Sequence, residues 1–238
     1  RTMMLEDLSN LLSYVNDPQS EKKDYFQAIE EDNCLGKRSG RTRILTCRHL
    51  ADLYALDPSI LIFRTLLYFW HRDPEGHPLL ALLCAYSRDR ILRQSYPFIK
   101  ELSEGQIVKR EDLELFIENL EPGRFSPATL KSTAQNINST WTKSGHFKGR
   151  VKKIRVKAVP TSGSVSYALL LGYLNGVRGE SLLSTEYAKL LDCTEDKMIE
   201  LAQDASRKGW ITFKRVGTVI EVLFPNLLKN EEMELTRE

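Results

Sequence analysis

The chain has 238 residues, 42% of them hydrophobic, and a net charge of +2, which allows a core of ordinary size and one or two domains. Its longest apolar stretches, Ile60–Trp70 (broken by Arg64) and Leu79–Tyr86, fall well short of the roughly 20 residues that span a bilayer, and Arg1–Leu12 does not read as a secretory signal. These features exclude a helical membrane protein and point to a soluble protein that stays inside the cell.

The charge is unevenly placed. Residues 1–35 carry eight acids against three bases, whereas Gly36–Leu50 carry five bases and no acid. From Ser126 to Pro160 there are eight bases (Lys131, Lys143, Lys148, Arg150, Lys152, Lys153, Arg155, Lys157) and no Asp or Glu in 35 residues. A local field of one sign attracts a polyanion.

The first half reads as helices. Glu21–Glu31 is followed by Ser39–Ala55, where Ile44, Cys47, Ala51 and Tyr54 keep helical spacing. Asp57 and Pro58 suit the cap and first turn of the next helix, and Asp73-Pro74 closes the core segment ILIFRTLLYFW. A helix is expected from about Pro78 to Gln94, with Ser95 and Pro97 reopening the chain. Lys109–Asn119 then supplies an amphipathic helix.

At Ser126-Pro127 a strong cap and first-turn pair opens a helix whose apolar stripe is Leu130, Ala134, Ile137 and Trp141. Its polar face carries Lys131, Ser132, Gln135, Asn136, Asn138, Ser139 and Lys143, donors and acceptors suited to phosphates and base edges in a major groove. After Gly145 comes a strand that should bury Ile154, Val156 and Ala158 while Lys153, Arg155 and Lys157 project outward. Helix, glycine stop and basic strand suggest a winged helix.

A second such order follows Thr161-Ser162-Gly163. Helices are expected from Val165 to Leu174, from a Ser184 cap through Leu191, and from a Thr194 cap to Gly209. A hairpin of Trp210–Lys214 and Thr218–Phe224 completes the module. Ala134-Gln135-Asn136 parallels Ala202-Gln203-Asp204, either a faint repeat or the shared needs of two helices that end at glycine. The expected fold is mainly α: an N-terminal helical bundle over 1–122, a first winged-helix-like segment with the basic strand over 123–160, a C-terminal winged-helix module over 161–228, and a disordered tail over 229–238.

The functional expectations follow. KGRVKKIRVK and the helix before it form the candidate DNA-binding surface, with site residues Lys131, Gln135, Asn136, Asn138, Ser139, Lys143, Lys148, Arg150, Lys152, Lys153, Arg155 and Lys157. A secondary anion or nucleic-acid site is Lys37, Arg38, Arg41 and Arg43, at a helix N-terminus where the dipole favours an anion. Alternatively, these cations answer the neighbouring Glu30, Glu31 and Asp32. The third helix of the C-terminal module mixes Glu195, Asp196, Glu200 and Asp204 with Lys197, Arg207 and Lys208, which suits packing or protein contact better than phosphate.

Cys34, Cys47, Cys84 and Cys193 show no C-x-x-C pair and read as reduced and mostly buried; His71 and His77 lie in a Pro- and Gly-rich loop. Neither a metal nor a cofactor is expected. With no phosphate-cradling loop, G-x-S-x-G or H-E-x-x-H, the chain reads as non-catalytic.

EDNCLGKRSGRTRILTCRHLADLYALD, the helix LIFRTLLYFW and SPATLKSTAQNINSTWTKSGHF resemble the BrxA family of BREX phage-defence systems. The resemblance is strongest at Glu31–Asp57 and Ser126–Phe147. It implies an antiviral accessory protein, encoded beside a methyltransferase, an ATPase and a phosphatase-like protein, that binds double-stranded DNA and has no catalytic residues. It also implies other BREX subunits as partners. The alternatives are a protein adaptor working through the C-terminal module and RNA binding by the N-terminal bundle.

Overall fold

The structure, a computed structural model, describes residues 2–228 together with Glu232. It is mainly helical, with short antiparallel strands. Among the described residues no helix is long and apolar enough to cross a membrane. The expected disordered tail over 229–238 lies, apart from Glu232, outside the described residues.

The chain divides into two compact units, each built from two stretches of sequence: Arg1–Phe63 with Cys84–Lys157, and Arg64–Leu83 with Ala158–Glu238. The boundaries differ from those expected at 122 and 160. Residues 123–157 join the first unit because the apolar stripe of their helix needs partners that only earlier helices supply.

In the first unit, helix α1 (Leu5–Tyr14) buries Leu8, Leu11 and Leu12. Helix α2 (Lys22–Glu30) starts with a reciprocal cap between Glu21 and Asp24. Helix α3 (Gly40–Tyr54) is capped by Ser39, whose Oγ accepts from the Thr42 amide at 3.2 Å. Asp57 organises a turn rather than a helix start, accepting from the Ser59 amide at 3.0 Å. Helix α4 (Leu61–Trp70) begins after it.

The helix expected from Pro78 to Gln94 is two helices, α5 (His77–Arg88) and α6 (Arg90–Glu101). Asp89 separates them and caps the second, its carboxylate accepting from the amides of Ile91 and Leu92. Pro97, expected to open the chain, lies inside α6. Burial of Leu92, Ser95 and Ile99 holds that helix together across the proline.

Strand β1 (Ile107–Val108) and helix α7 (Arg110–Leu120) follow. Helix α8 (Pro127–Lys143) has the expected Ser126 cap, accepting from the Thr129 amide at 3.2 Å. It packs on α7, and the fully buried Trp141 donates from Nε1 to Ser95 Oγ at 3.0 Å. Strands β2 (Phe147–Lys148) and β3 (Lys153–Arg155) complete an antiparallel sheet in the order β1-β3-β2.

In the second unit, helix α9 (Ser162–Leu174) starts three residues earlier than expected, with a reciprocal Thr161–Ser164 cap, and is buried almost all round. Its serines are satisfied internally: Ser166 Oγ donates to the Ser162 carbonyl at 2.7 Å and Ser162 Oγ to Asp204 at 2.5 Å. The Asp73 carboxylate accepts from the Gly163 amide at 2.8 Å, and a side chain on Gly163 would collide with it.

A 3-10 turn over Gly179–Ser184 leads to helix α10 (Glu186–Lys189), capped by Thr185 rather than Ser184. Helix α11 (Glu195–Arg207) has the expected Thr194 cap. The hairpin of β4 (Thr212–Val216) and β5 (Val219–Leu223) is in register from Thr212↔Leu223 to Val216↔Val219.

Candidate nucleic-acid interface

The candidate surface is built by α8 and the three-stranded sheet of the first unit. Antiparallel pairing sets Ile107 opposite Ile154 and Val108 opposite Lys153, while Phe147 faces Arg155 and Lys148 faces Ile154. Cross-strand partners share a face, so Val108, Lys153, Arg155 and Phe147 lie on one face and Ile107, Ile154 and Lys148 on the other. Phe147 and Val108 are buried, at 2% and 5% exposed, whereas Ile107 is 45% exposed.

The expected facing of β3 is therefore inverted. Register follows the larger apolar burial, and Phe147 with Val108 outweighs Ile154. Arg155 is 8% exposed, and its guanidinium donates to the carbonyls of His146 and Val156. It is a structural residue at the end of β3, not an outward cation. Lys153 is half-buried, its ammonium donates to the Gly149 carbonyl at 2.7 Å, and desolvation lowers its pKa.

Lys131, Lys143, Lys148, Arg150, Lys152 and Lys157 are exposed. Asn136 is half-buried and its carbonyl accepts from the Thr140 hydroxyl. Gly149 makes the turn between β2 and β3 with φ +104, and a Cβ there would stand 2.1 Å from the Lys152 carbonyl oxygen. Only glycine passes so close to the backbone, and this turn carries Arg150 and Lys152.

One concave recess, of about 330 Å³, gathers several of these groups. Gln135, Asn138 and Ser139 come from one face of α8, Arg150, Val151 and Lys153 from the β2–β3 turn and strand, and Val108 and Arg110 from β1 and the start of α7. Asn138 is buried at 7% exposed, and its Oδ1 has no hydrogen-bond partner. Arg110 lies 2.6 Å from carboxylate oxygens of both Glu111 and Glu114. Its Nε and Glu114 Oε1 are not aligned as a hydrogen bond, so that contact is an ion pair alone.

Lys131, Asn136, Lys143, Lys148, Lys152, Arg155 and Lys157 lie outside the recess. Val108, Arg110 and Val151 enter it without having been expected, because nothing local in the sequence pairs Ile107–Val108 with a strand 46 residues later.

The secondary cluster is already engaged in part. Lys37 Nζ pairs with Asp7 at 2.7 Å, and Arg43 donates to the Glu31 carbonyl at 3.2 Å, while Arg38 and Arg41 are exposed. In the second unit, Asp204 accepts from Lys208 at 2.6 Å and from Ser162, contacts that hold its carboxyl down to about 2. His77 stacks on Trp70 at 3.8 Å between centroids and contacts its carbonyl through Nε2. Cys47 and Cys84 are buried; Cys34 and Cys193 are half-buried.

Comparison of the chain with models of known protein families, with curated proteins and with solved structures finds no match.

Proposed function

We propose that the chain is a non-catalytic nucleic-acid-binding protein that contacts duplex DNA through the phosphates facing α8 and the β2–β3 turn. The observation that carries this reading is the acid-free block Ser126–Pro160, in which six of eight cations are exposed. Clustered cations with no interleaved acid gain from counterion release on a polyanion. In this reading α8 with its sheet, and α9–α11 with the β4–β5 hairpin, are the two winged-helix-like modules. A role as a cytoplasmic accessory of a BREX-type phage defence rests on the BrxA resemblance alone.

A second reading has an observation of its own. Val216 and Val219, paired across the tip of the β4–β5 hairpin, are 79% and 70% exposed. Exposed apolar tips beside the mixed charges of α11 suit contact with a partner subunit, making the second unit an adaptor.

The test is binding of labelled duplex DNA and of a matched RNA duplex across a salt series. The unaltered protein is compared with a variant in which Lys148, Arg150, Lys152 and Lys157 become Glu. Arg155 is left in place to preserve the fold. Tight DNA binding lost in the folded variant is the expected result; weak binding indifferent to these changes overturns the proposal in favour of the adaptor.

A further inference from the structure

We infer that the first unit binds a second copy of this chain head to tail, the outer face of α7 in one copy seating on the outer face of α3 in the next. Helix α3 leaves Ile44 and Leu45 exposed, at 59% and 50%, between exposed Arg41 and Arg48. Helix α7 leaves Leu115 exposed, at 63%, between exposed Glu111 and half-buried Glu118. Both helices belong to the first unit. The contact uses no group of α8 or of the β2–β3 turn, so it stands apart from the duplex reading above.

The two faces share one layout with opposite charge. Helical residues three or four apart are neighbours on one side, so Arg41, Ile44, Leu45 and Arg48 form a single stripe, and Glu111, Leu115 and Glu118 form another. In each stripe the outer charged groups are seven positions apart, about 10.5 Å along the axis at about 1.5 Å per residue. The apolar side chains stand between them. Leu115 set between Ile44 and Leu45 therefore brings one carboxylate to each guanidinium. Exposed Asp112, three positions before Leu115, adds a third acid.

Neither face is satisfied within the chain. Arg41, Arg48 and Asp112 make no ion pair with a described residue. Glu111 pairs with Arg110 at 2.6 Å and Glu118 accepts from the Gly123 amide at 2.8 Å, and each carboxylate keeps further acceptor sites. The apolar centre selects the class of partner. A phosphate backbone would engage the two arginines and leave Ile44 and Leu45 in water, whereas Leu115 of α7 covers them. Because the two faces differ, the contact is heterologous and builds a ring or an open chain rather than a closed two-fold dimer. It joins about four side chains from each helix, against the roughly 20–30 residues a side of a standard interface, so the association is weak and depends on concentration.

Sedimentation velocity on the full chain, free of nucleic acid, tests this. The sedimentation coefficient of the unaltered protein should rise with concentration, and less so at high salt. Ile44→Glu and Leu115→Glu replace exposed side chains and spare the fold. Each alone should raise the concentration for half-association about tenfold or more, by setting a charge in the apolar centre. An equimolar mixture of the two variants should associate again but stop at a dimer, because Ile44→Glu keeps an intact α7 face and Leu115→Glu an intact α3 face. Recovery in the mixture also shows that both variants are folded. An unaltered protein that stays monomeric overturns the proposal, as does association that either variant retains alone or a mixture that stays monomeric. Duplex binding lost in Ile44→Glu, with the unaltered protein monomeric, gives the α3 face to nucleic acid and overturns it as well. None of the sedimentation results bears on duplex binding by α8.

Discussion

Removing Lys152 and Lys157 together tests whether exposure, rather than formal charge, counts the phosphate contacts. The sequence offers eight cations between Ser126 and Pro160, but Arg155 is buried and Lys153 is half-buried and engaged with a carbonyl, leaving six exposed. Each neutralised phosphate contributes about 0.9 to the slope of log affinity against log salt, so six give a slope near −5, and affinity should fall about 10³-fold between 50 and 200 mM salt. With Lys152→Ala and Lys157→Ala the slope should flatten to about −3.6, and the same salt interval should cost about 150-fold. Arg155→Met should leave the slope unchanged and instead lower the unfolding midpoint, because its guanidinium bonds the carbonyls of His146 and Val156. Titrations of a fixed duplex by anisotropy at several salt concentrations measure all three slopes. A slope unmoved by the double lysine change, or reduced by Arg155→Met in a protein of native stability, would refute the reasoning.

Three other outcomes are expected. Ser95→Ala deprives the buried Trp141 indole N–H of its acceptor and should cost about 1–3 kcal/mol in denaturant unfolding; no change would show that the indole finds another acceptor. Gly149→Ala puts a Cβ at positive φ against the Lys152 carbonyl and should cost about 1–3 kcal/mol while weakening duplex binding, since the turn that displays Arg150 and Lys152 must rebuild. Asp204 is held at about 2, below the ordinary 3.8, by hydrogen bonds from Lys208 and Ser162. Its contribution is therefore present above about pH 4 and lost as pH falls toward 2. Asp204→Asn should lower the melting midpoint at pH 7 and converge with the unaltered protein near pH 2, whereas a deficit constant with pH would exclude the ionised carboxylate as its source.

Local signals were legible wherever their cause is local. Ser126 and Thr194 cap the helices expected of them, because a cap needs only a hydroxyl and an amide three residues on. Gly145 and Gly209 end α8 and α11 at positive φ, a conformation glycine reaches without cost. The hairpin near the C-terminus and the acid-free basic block were legible for the same reason, being properties of adjacent residues. Helix α1 and the proline inside α6 were not, since both depend on burial against distant elements.

What only the tertiary structure decided is which side of each polar element faces water. The alternation of Lys153, Ile154 and Arg155 fits either facing, and the choice fell to the pairing of β3 with Val108 and Phe147, whose burial outweighs that of Ile154. That pairing buried Arg155, drew Lys153 inward, and set Asn138 in a recess with Arg110. The sequence by itself determined the charge, the caps and the glycine stops, because these act over a few residues. The recess depends on β1 meeting β3 across 46 intervening positions, and no short-range rule encodes that meeting.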